Sequence, residues 1–288
     1  MKEQWPSILR GFTSIDEGQV HYREAGNTKI GQPPLVMFHA SPGSAKSLEP
    51  LIQILAMNRR VIALDTLGNG DSCAPWGAEP DLAYFARAHV RALTALGIDR
   101  FDVWGSHTGA NIACEIAIQN STSVRGLIID GIGLYAQDEQ EDLLRHYLPT
   151  VQLDQNGTQF HQLWAFVRDA YLFWPWYKKD SEHRRPAGLP SATDLHNKAV
   201  EVFKAANTFQ KSYRAALSYP KAQKLPLIQV PTLVTCSKSD MLFAYFQQVC
   251  NLIPSAESNI TAGTSSVQAL LETTEIFERF LEKLPPES

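Results

Sequence analysis

Cysteine is scarce in this sequence, and its four residues are widely spaced. No C-x-x-C pair is present, so a zinc site or a disulfide framework is not expected. No stretch approaches the ~18 consecutive apolar residues of a membrane span, and no apolar segment follows Lys2 as it would in a secretion signal. We therefore expect a cytoplasmic protein with no membrane partner, no metal and no cofactor. The four cysteines are Cys73, Cys114, Cys236 and Cys250.

Charge of one sign is not concentrated anywhere along the chain. The 26 basic and 30 acidic residues are interspersed and leave a net charge of -4, so no basic stripe is available for nucleic acid. At 288 residues and 44% apolar content, the chain suits one large domain with a sizeable core. A small-molecule substrate is the expected partner. The sequence is compatible with a homodimer but carries no signal for one.

Short apolar runs alternate with helical patterns over most of the chain. Residues 12–24 read as two antiparallel strands around a tight turn, and helical spacing is present at 46–57, 82–96 and 267–284. The remaining apolar runs resemble strands that helices bury on both faces. The pattern predicts an α/β fold with a mostly parallel sheet of eight strands and helices on both faces. These six runs are 35–39, 61–64, 101–104, 124–130, 232–236 and 258–261.

Residues 134–220 break this alternation and carry helical patterns, prolines and many aromatic residues. We interpret them as a helical cap inserted into a core formed by 1–133 and 221–288. The aromatic run at 171–177 is too bulky to be left in water. We expect Tyr171, Trp174 and Trp176 to contact substrate in an apolar pocket between cap and core.

The segment 103–110, V-W-G-S-H-T-G-A, joins a predicted strand to a predicted helix across Gly105 and Gly109. This is the spacing of the nucleophile elbow, G-x-Nu-x-G, in which two glycines permit a tight turn and the middle residue projects over the sheet. The middle residue is His107, where serine, cysteine or aspartate is expected. Ser106 lies one position too early to take its place.

Two further motifs accompany the elbow: F-H-A-S-P-G-S at 38–44 and D-T-L-G-N-G-D-S at 65–72. With these three motifs the sequence resembles the α/β-hydrolase superfamily, in the capped branch of haloalkane dehalogenases, epoxide hydrolases and C–C hydrolases. The resemblance implies an oxyanion hole formed by the backbone N–H groups of Ser41 and Thr108. It also implies a structural role for the loop at 65–72. Ala40 replaces the glycine usual in the first motif, and we expect His39 to orient that loop by hydrogen bonding and to contact the substrate.

The resemblance also implies an acid after the seventh strand and a histidine after the eighth. Asp240, directly after the run 232–236, fits the acid. The second position fails, because residues 263–266 read G-T-S-S and no histidine follows His196. The usual triad therefore cannot form.

A histidine is longer than a serine, so His107 could extend into the space that the missing histidine leaves. Asp240 could then orient it as a general base. The leading hypothesis is hydrolysis of a small, largely apolar ester, lactone or related carbonyl compound. The alternatives are a cofactor-free lyase, isomerase or oxygenase, and a non-catalytic binding protein. Other residues could also complete the site, either as a nucleophile that His107 activates, Thr264, Ser265 or Ser266, or as a cap histidine, His146, His161, His183 or His196.

Overall fold

Eight strands form one sheet in the computed structural model, which describes residues 5–27, 32–186 and 188–286. Their spatial order is β1-β2-β4-β3-β5-β6-β7-β8. The first two strands form an antiparallel hairpin and β2 pairs antiparallel with β4, whereas all later pairs are parallel. The predicted eight-stranded, mostly parallel sheet is confirmed. The strands are β1 Leu9–Ile15, β2 Gly18–Ala25, β3 Leu35–Phe38, β4 Val61–Leu64, β5 Phe101–Ser106, β6 Val124–Asp130, β7 Thr232–Ser237 and β8 Glu257–Thr261.

Helices cover both faces of the sheet, and successive strand residues face opposite cores. In β3, Val36 and Phe38 belong to one apolar cluster and Leu35 and Met37 to the other, as the two-residue period of a strand requires. The first cluster includes residues of the helices at 82–95 and 108–119, and the second includes residues of the helices at 49–55 and 267–283. The core helices are α1 Glu49–Leu55, α2 Leu82–Ala95, α3 Thr108–Gln119, α8 Lys221–Lys224, α9 Phe246–Leu252 and α10 Val267–Lys283.

Between β6 and α8 the described chain forms four helices, and we propose that they form the cap expected at 134–220. They share an apolar cluster of their own, in which Phe166 and Phe209 stack at 5.9 Å between ring centroids. The last of them also contributes to the core cluster through Ala215 and Ala216 and packs against α2 and α3. In the described part of the chain, none of the helices has the length and apolarity needed to cross a membrane. The four helices are α4 Gln137–His146, α5 Thr158–Leu172, α6 Ala192–Lys204 and α7 Phe209–Ser218.

Hydrogen bonds to the buried carboxylate of Asp65 and ion pairs of Asp71 hold the loop at 65–72. Asp65 accepts hydrogen bonds from the N–H groups of Ala45 and Asp71 and lies 2.8 Å from His21 Nδ1. His21, Asp65 and Asp71 have ligand atoms within 4.8 Å of one another, but Arg10 and Lys204 pair with Asp71 at 2.6 and 3.1 Å. Internal ion pairs therefore account for this cluster, and it positions the loop.

Candidate active site

The turn between β5 and α3 is tight enough to require both of its glycines. A Cβ added at Gly105 would lie 2.2 Å from the carbonyl oxygen of Gly109, and one added at Gly109 would lie 2.1 Å from that of Phe38. Real Cβ atoms essentially never come under 3.0 Å, so a side chain at either position would push the backbone apart. The G-x-H-x-G spacing is thus a steric requirement of the fold.

His107 occupies the middle of this turn with φ 51° and ψ -112°. A positive φ is strained for a residue with a side chain, and such residues are enriched at functional sites. The N–H of His107 donates to the carbonyl of Gly131 at 3.0 Å. Because the imidazole packs over the α-carbon of Gly131, a Cβ there would lie 3.1 Å from the ring. The elbow therefore presents an imidazole over the carboxyl ends of the strands.

Asp240 holds this imidazole from the end of β7, which is separated from β5 by β6. Its Oδ2 lies 2.8 Å from His107 Nε2, while its Oδ1 accepts the N–H of Leu242 at 2.7 Å. A turn after β7, in which the Asp240 N–H donates to the Ser237 carbonyl at 3.0 Å, sets the position of the carboxylate. An ionised carboxylate can only accept, so Nε2 carries the proton and Nδ1 is left as an acceptor. Both side chains keep 25% of their surface exposed.

The pair shifts the pKa of each partner toward its charged form. Burial alone lowers the pKa of His107, but the charge and hydrogen bond of Asp240, with the charge of Asp130, raise it above its ordinary 6.5. Burial likewise opposes ionisation of Asp240, yet His107 holds the pKa of that carboxyl below its ordinary 3.8. Asp240 is thus a carboxylate, and the pair favours the protonated form of His107.

Asp130, the last residue of β6, is a second carboxyl group beside this pair. It is in register with Ser106 of β5 and Thr235 of β7, and Thr235 Oγ1 donates to it at 3.0 Å. Burial and the negative charge of Asp240 raise the pKa of Asp130 to about 6. The negative charges of Asp240 and Asp130 therefore both raise the pKa of His107, which makes the imidazole a stronger base.

Ser41 and Thr108 follow adjacent parallel strands at matching positions. Phe38 of β3 is in register with Gly105 of β5. Ser41 lies three residues after Phe38, and Thr108 lies three residues after Gly105. Thr108 is the first residue of α3, where backbone N–H groups have no partner within the helix. The Ser41 hydroxyl is bonded to Ser212 Oγ at 3.0 Å, so the role expected of Ser41 in an oxyanion hole falls to its backbone N–H.

A small cavity of about 30 Å³ lies between His107 and the cap. This volume holds roughly two water molecules, so a substrate must displace some of the side chains that cover it. Trp174 is the residue of the aromatic run that lines it. The lining residues are His107, Thr108, Asn111, Gly133, Tyr135, Trp174, Tyr213, Ala216, Leu217, Lys221 and Leu242.

Three of the predicted substrate contacts lie elsewhere. His39 is fully buried; its Nε2 accepts the Thr66 N–H and its Nδ1 bonds to the Ala40 carbonyl, both at 3.0 Å, so it orients the loop and cannot contact substrate. Trp176 belongs to the cap core, where its indole N–H donates to the Tyr147 carbonyl at 2.8 Å. Tyr171 lines a separate cavity. Packing of the cap, which a sequence pattern does not specify, decides which aromatic residues face the site.

We expect the two tryptophan-to-alanine variants to differ: one should change substrate binding and the other the stability of the fold. Trp174→Ala should raise KM for p-nitrophenyl butyrate by roughly tenfold or more. The substrate would lose its apolar contact with the indole, and burying a side chain of this kind contributes ~1.5–3 kcal/mol. Trp176→Ala should leave KM unchanged but lower the free energy of unfolding by about 3 kcal/mol. Steady-state kinetics and urea unfolding of both variants separate the two roles. A KM increase confined to Trp176→Ala would contradict this assignment.

The loop that replaces the usual histidine faces solvent. Thr264, Ser265 and Ser266 are exposed, and the Ser266 hydroxyl accepts the Ala269 N–H at 3.1 Å as the N-cap of α10. Within the described residues, the imidazole of His107 hydrogen-bonds to Asp240 and to no other side chain. The cap histidines are also absent from the cavity wall, which includes only His107 among the histidines that the structure describes.

Sequence reasoning missed Asp130, Asn111 and Lys221. A carboxyl group at the end of the strand between β5 and β7 could have been found from the strand order alone, because parallel strands end at one edge. Asn111 lies one turn beyond the elbow, where helical spacing places it on the same face. Lys221 gave no signal, since its burial depends on how the cap folds back onto the core.

The family model of the alpha/beta hydrolase fold matches residues 33–263, and the chain belongs to this family. It is 28% identical over 134 residues to haloalkane dehalogenase 2 of Mycobacterium bovis, covering 46% of this chain and 45% of that protein. It is 37% identical over 101 residues to 2-hydroxymuconate semialdehyde hydrolase of a Pseudomonas species, covering 34% and 36%. The chain thus matches less than half the length of these curated relatives.

The structure resembles that of the enol-lactonase from Burkholderia xenovorans, with a TM-score of 0.70. The match covers 95% of this chain and 100% of the lactonase at 18% sequence identity. A likeness at this level of identity establishes the fold alone, because one fold supports many chemistries. The activity has to be argued from the residues of the site.

Proposed function

We propose that the protein is a hydrolase of small ester, lactone or related carbonyl compounds, with His107 as general base and Asp240 as its orienting acid. The single observation that carries this proposal is the 2.8 Å contact between His107 Nε2 and Asp240 Oδ2 at the apex of an intact elbow. The names of the relatives, a dehalogenase, a semialdehyde hydrolase and a lactonase, support a hydrolytic class.

In this mechanism His107 Nδ1 takes a proton from water as the water oxygen attacks the substrate carbonyl. The N–H groups of Ser41 and Thr108 stabilise the oxyanion that forms, and Asp240 stabilises the imidazolium. The tetrahedral intermediate then collapses, and the imidazolium returns its proton to the leaving oxygen. No bond to the protein forms at any step, which suits an elbow without serine or cysteine at its middle position.

The strained backbone of His107 favours an enzyme over a protein that only binds its ligand. A φ of 51° costs of order 1–3 kcal/mol for a residue with a side chain, and a glycine at this position would avoid that cost. The strain is useful if the imidazole must project over the strand ends next to Asp240. Lyase or oxygenase chemistry would use the same base, and turnover of esters distinguishes hydrolysis from it.

We expect phenylmethylsulfonyl fluoride and diethyl p-nitrophenyl phosphate to leave no adduct on the protein while p-nitrophenyl acetate is hydrolysed without a burst. The reason is that the middle position of the elbow is His107, so no hydroxyl or thiol stands where a nucleophile would be sulfonylated or phosphorylated. Intact-mass measurement after incubation checks the first part and stopped-flow absorbance the second. An adduct mapped to Thr264, Ser265 or Ser266, with loss of turnover, would instead favour a covalent mechanism and overturn direct attack by water.

A further inference from the structure

A lysine with no acidic partner lines the His107 cavity. Lys221 is 5% exposed and begins α8 directly after the cap. Its ammonium donates to the carbonyl of Ala216 at 2.8 Å and lies 3.5 Å from that of Tyr219. By contrast, Lys224 on the same helix pairs with Glu115 at 3.1 Å. Within the described ranges, no carboxylate forms an ion pair with Lys221.

Burial of this ammonium is costly unless something in the cavity compensates for it. Burial lowers the pKa of Lys221 to about 8, so most of the amine still carries its charge at pH 7. The Tyr135 ring, 5.5 Å from Nζ, gives partial compensation through its π face. An ammonium has three donors, and the two carbonyl oxygens leave at least one of them for a ligand.

A second polar group of the cavity wall is also unpartnered. Asn111 is 4% exposed and uses its Nδ2 to donate to the His107 carbonyl at 2.8 Å. Its Oδ1 is buried without a hydrogen-bond partner among the residues described. Buried polar atoms are normally satisfied, so the wall around His107 offers a free donor at Lys221 and a free acceptor at Asn111. These are features of a site that takes a polar ligand.

We propose that the His107 cavity binds small carboxylates and that Lys221 receives the carboxylate group. The proposal rests on the proposed function and narrows it: the substrates are short esters or lactones that also carry a free carboxylate. Lys221 would fix the acidic end of such a molecule by a charge-assisted hydrogen bond. His107 would then activate water beside the neutral carbonyl at its other end.

Binding of propionate and of its neutral isostere propionamide to the wild-type protein, measured by titration calorimetry, tests the carboxylate preference directly. We expect propionate to bind at least tenfold more tightly, which is roughly the effect of one hydrogen bond to a charged group. Lys221→Met should abolish the difference. Lys211→Met is the matched control, because that ammonium also bonds to carbonyl oxygens, those of Gly77 and Pro75, but lies outside the cavity wall. Equal binding of the two probes by the wild type would overturn the proposal, even if Lys221→Met does not fold.

Turnover of monomethyl and dimethyl succinate separates this proposal from the proposed function. We expect the wild type to prefer the monomethyl ester in kcat/KM by about tenfold, and Lys221→Met to lose that preference. Equal turnover of both esters by wild type and variant would refute the role of Lys221 and leave hydrolysis intact. Selective propionate binding without turnover of either ester would support the carboxylate site and count against hydrolysis.

Discussion

His107→Ala should lower kcat for p-nitrophenyl acetate by about 10²–10⁴-fold, the range that a positioned general base contributes. Asp240→Asn should lower kcat by about 10²-fold or more, because an amide at this position can favour the wrong tautomer of the imidazole. Both variants should keep the wild-type circular dichroism spectrum. The backbone of the elbow depends on its glycines, and neither variant changes them.

The double variant shows whether the two residues act as one unit. If Asp240 acts only through His107, the variant with both His107→Ala and Asp240→Asn should have a kcat only slightly below that of His107→Ala alone. Asp130→Asn is the matched control, since it removes a carboxyl group from the same strand edge but not one that bonds to the ring, and its effect on kcat should be much smaller. Additive losses at His107 and Asp240 would indicate two independent roles.

Gly109→Ala should destabilise the fold by about 3 kcal/mol, or roughly 5–10 °C in the melting temperature. In an unhindered helix the same change stabilises by up to ~1 kcal/mol, so the sign of the effect is itself diagnostic. The cause is the 2.1 Å approach of the new methyl group to the Phe38 carbonyl oxygen. Urea unfolding followed by tryptophan fluorescence measures the change.

Gly97→Ala is the control for this prediction. Its φ of +71° makes an added side chain strained, but nothing lies within 4 Å of the new Cβ. We therefore expect a loss of only about 1–2 kcal/mol from backbone strain. If Gly109→Ala is neutral or stabilising, the elbow can relax, and the steric account of the G-x-H-x-G spacing is wrong.

The sheet was predictable because its signals are local. Each buried strand is a short apolar run bounded by turn residues, and the elbow glycines specify where β5 becomes α3. The helix Phe246–Leu252 between β7 and β8 was missed, since much of its apolar surface is only partly buried. The face that His107 presents also followed from local rules, because the middle residue of the elbow has one direction available to it.

The wall of the cavity was not predictable from the sequence. Trp174 and Trp176 differ by two positions and look equivalent, yet one lines the cavity and the other bonds within the cap core. Lys221 looks like a solvated residue of a polar segment, K-A-Q-K, and its burial arises when α7 packs onto α2 and α3. Contacts of this kind join segments that are far apart in the chain, and no local pattern encodes them.

The pH dependence of kcat/KM tests the general-base role of His107 most directly when a protein with Asp240 intact is compared with the Asp240→Asn variant. Both profiles are measured in the Asp130→Asn background, so that the carboxyl group with a pKa of about 6 does not titrate in the same window. The neutral imidazole is the active form, and the charge and hydrogen bond of Asp240 raise the pKa of His107. Activity should therefore rise with pH through the inflection of His107, and Asp240→Asn should move that inflection to lower pH as well as lowering the plateau. An inflection that is absent, or that stays in place when Asp240 is replaced, would contradict the proposal that His107 is a base oriented by this carboxylate.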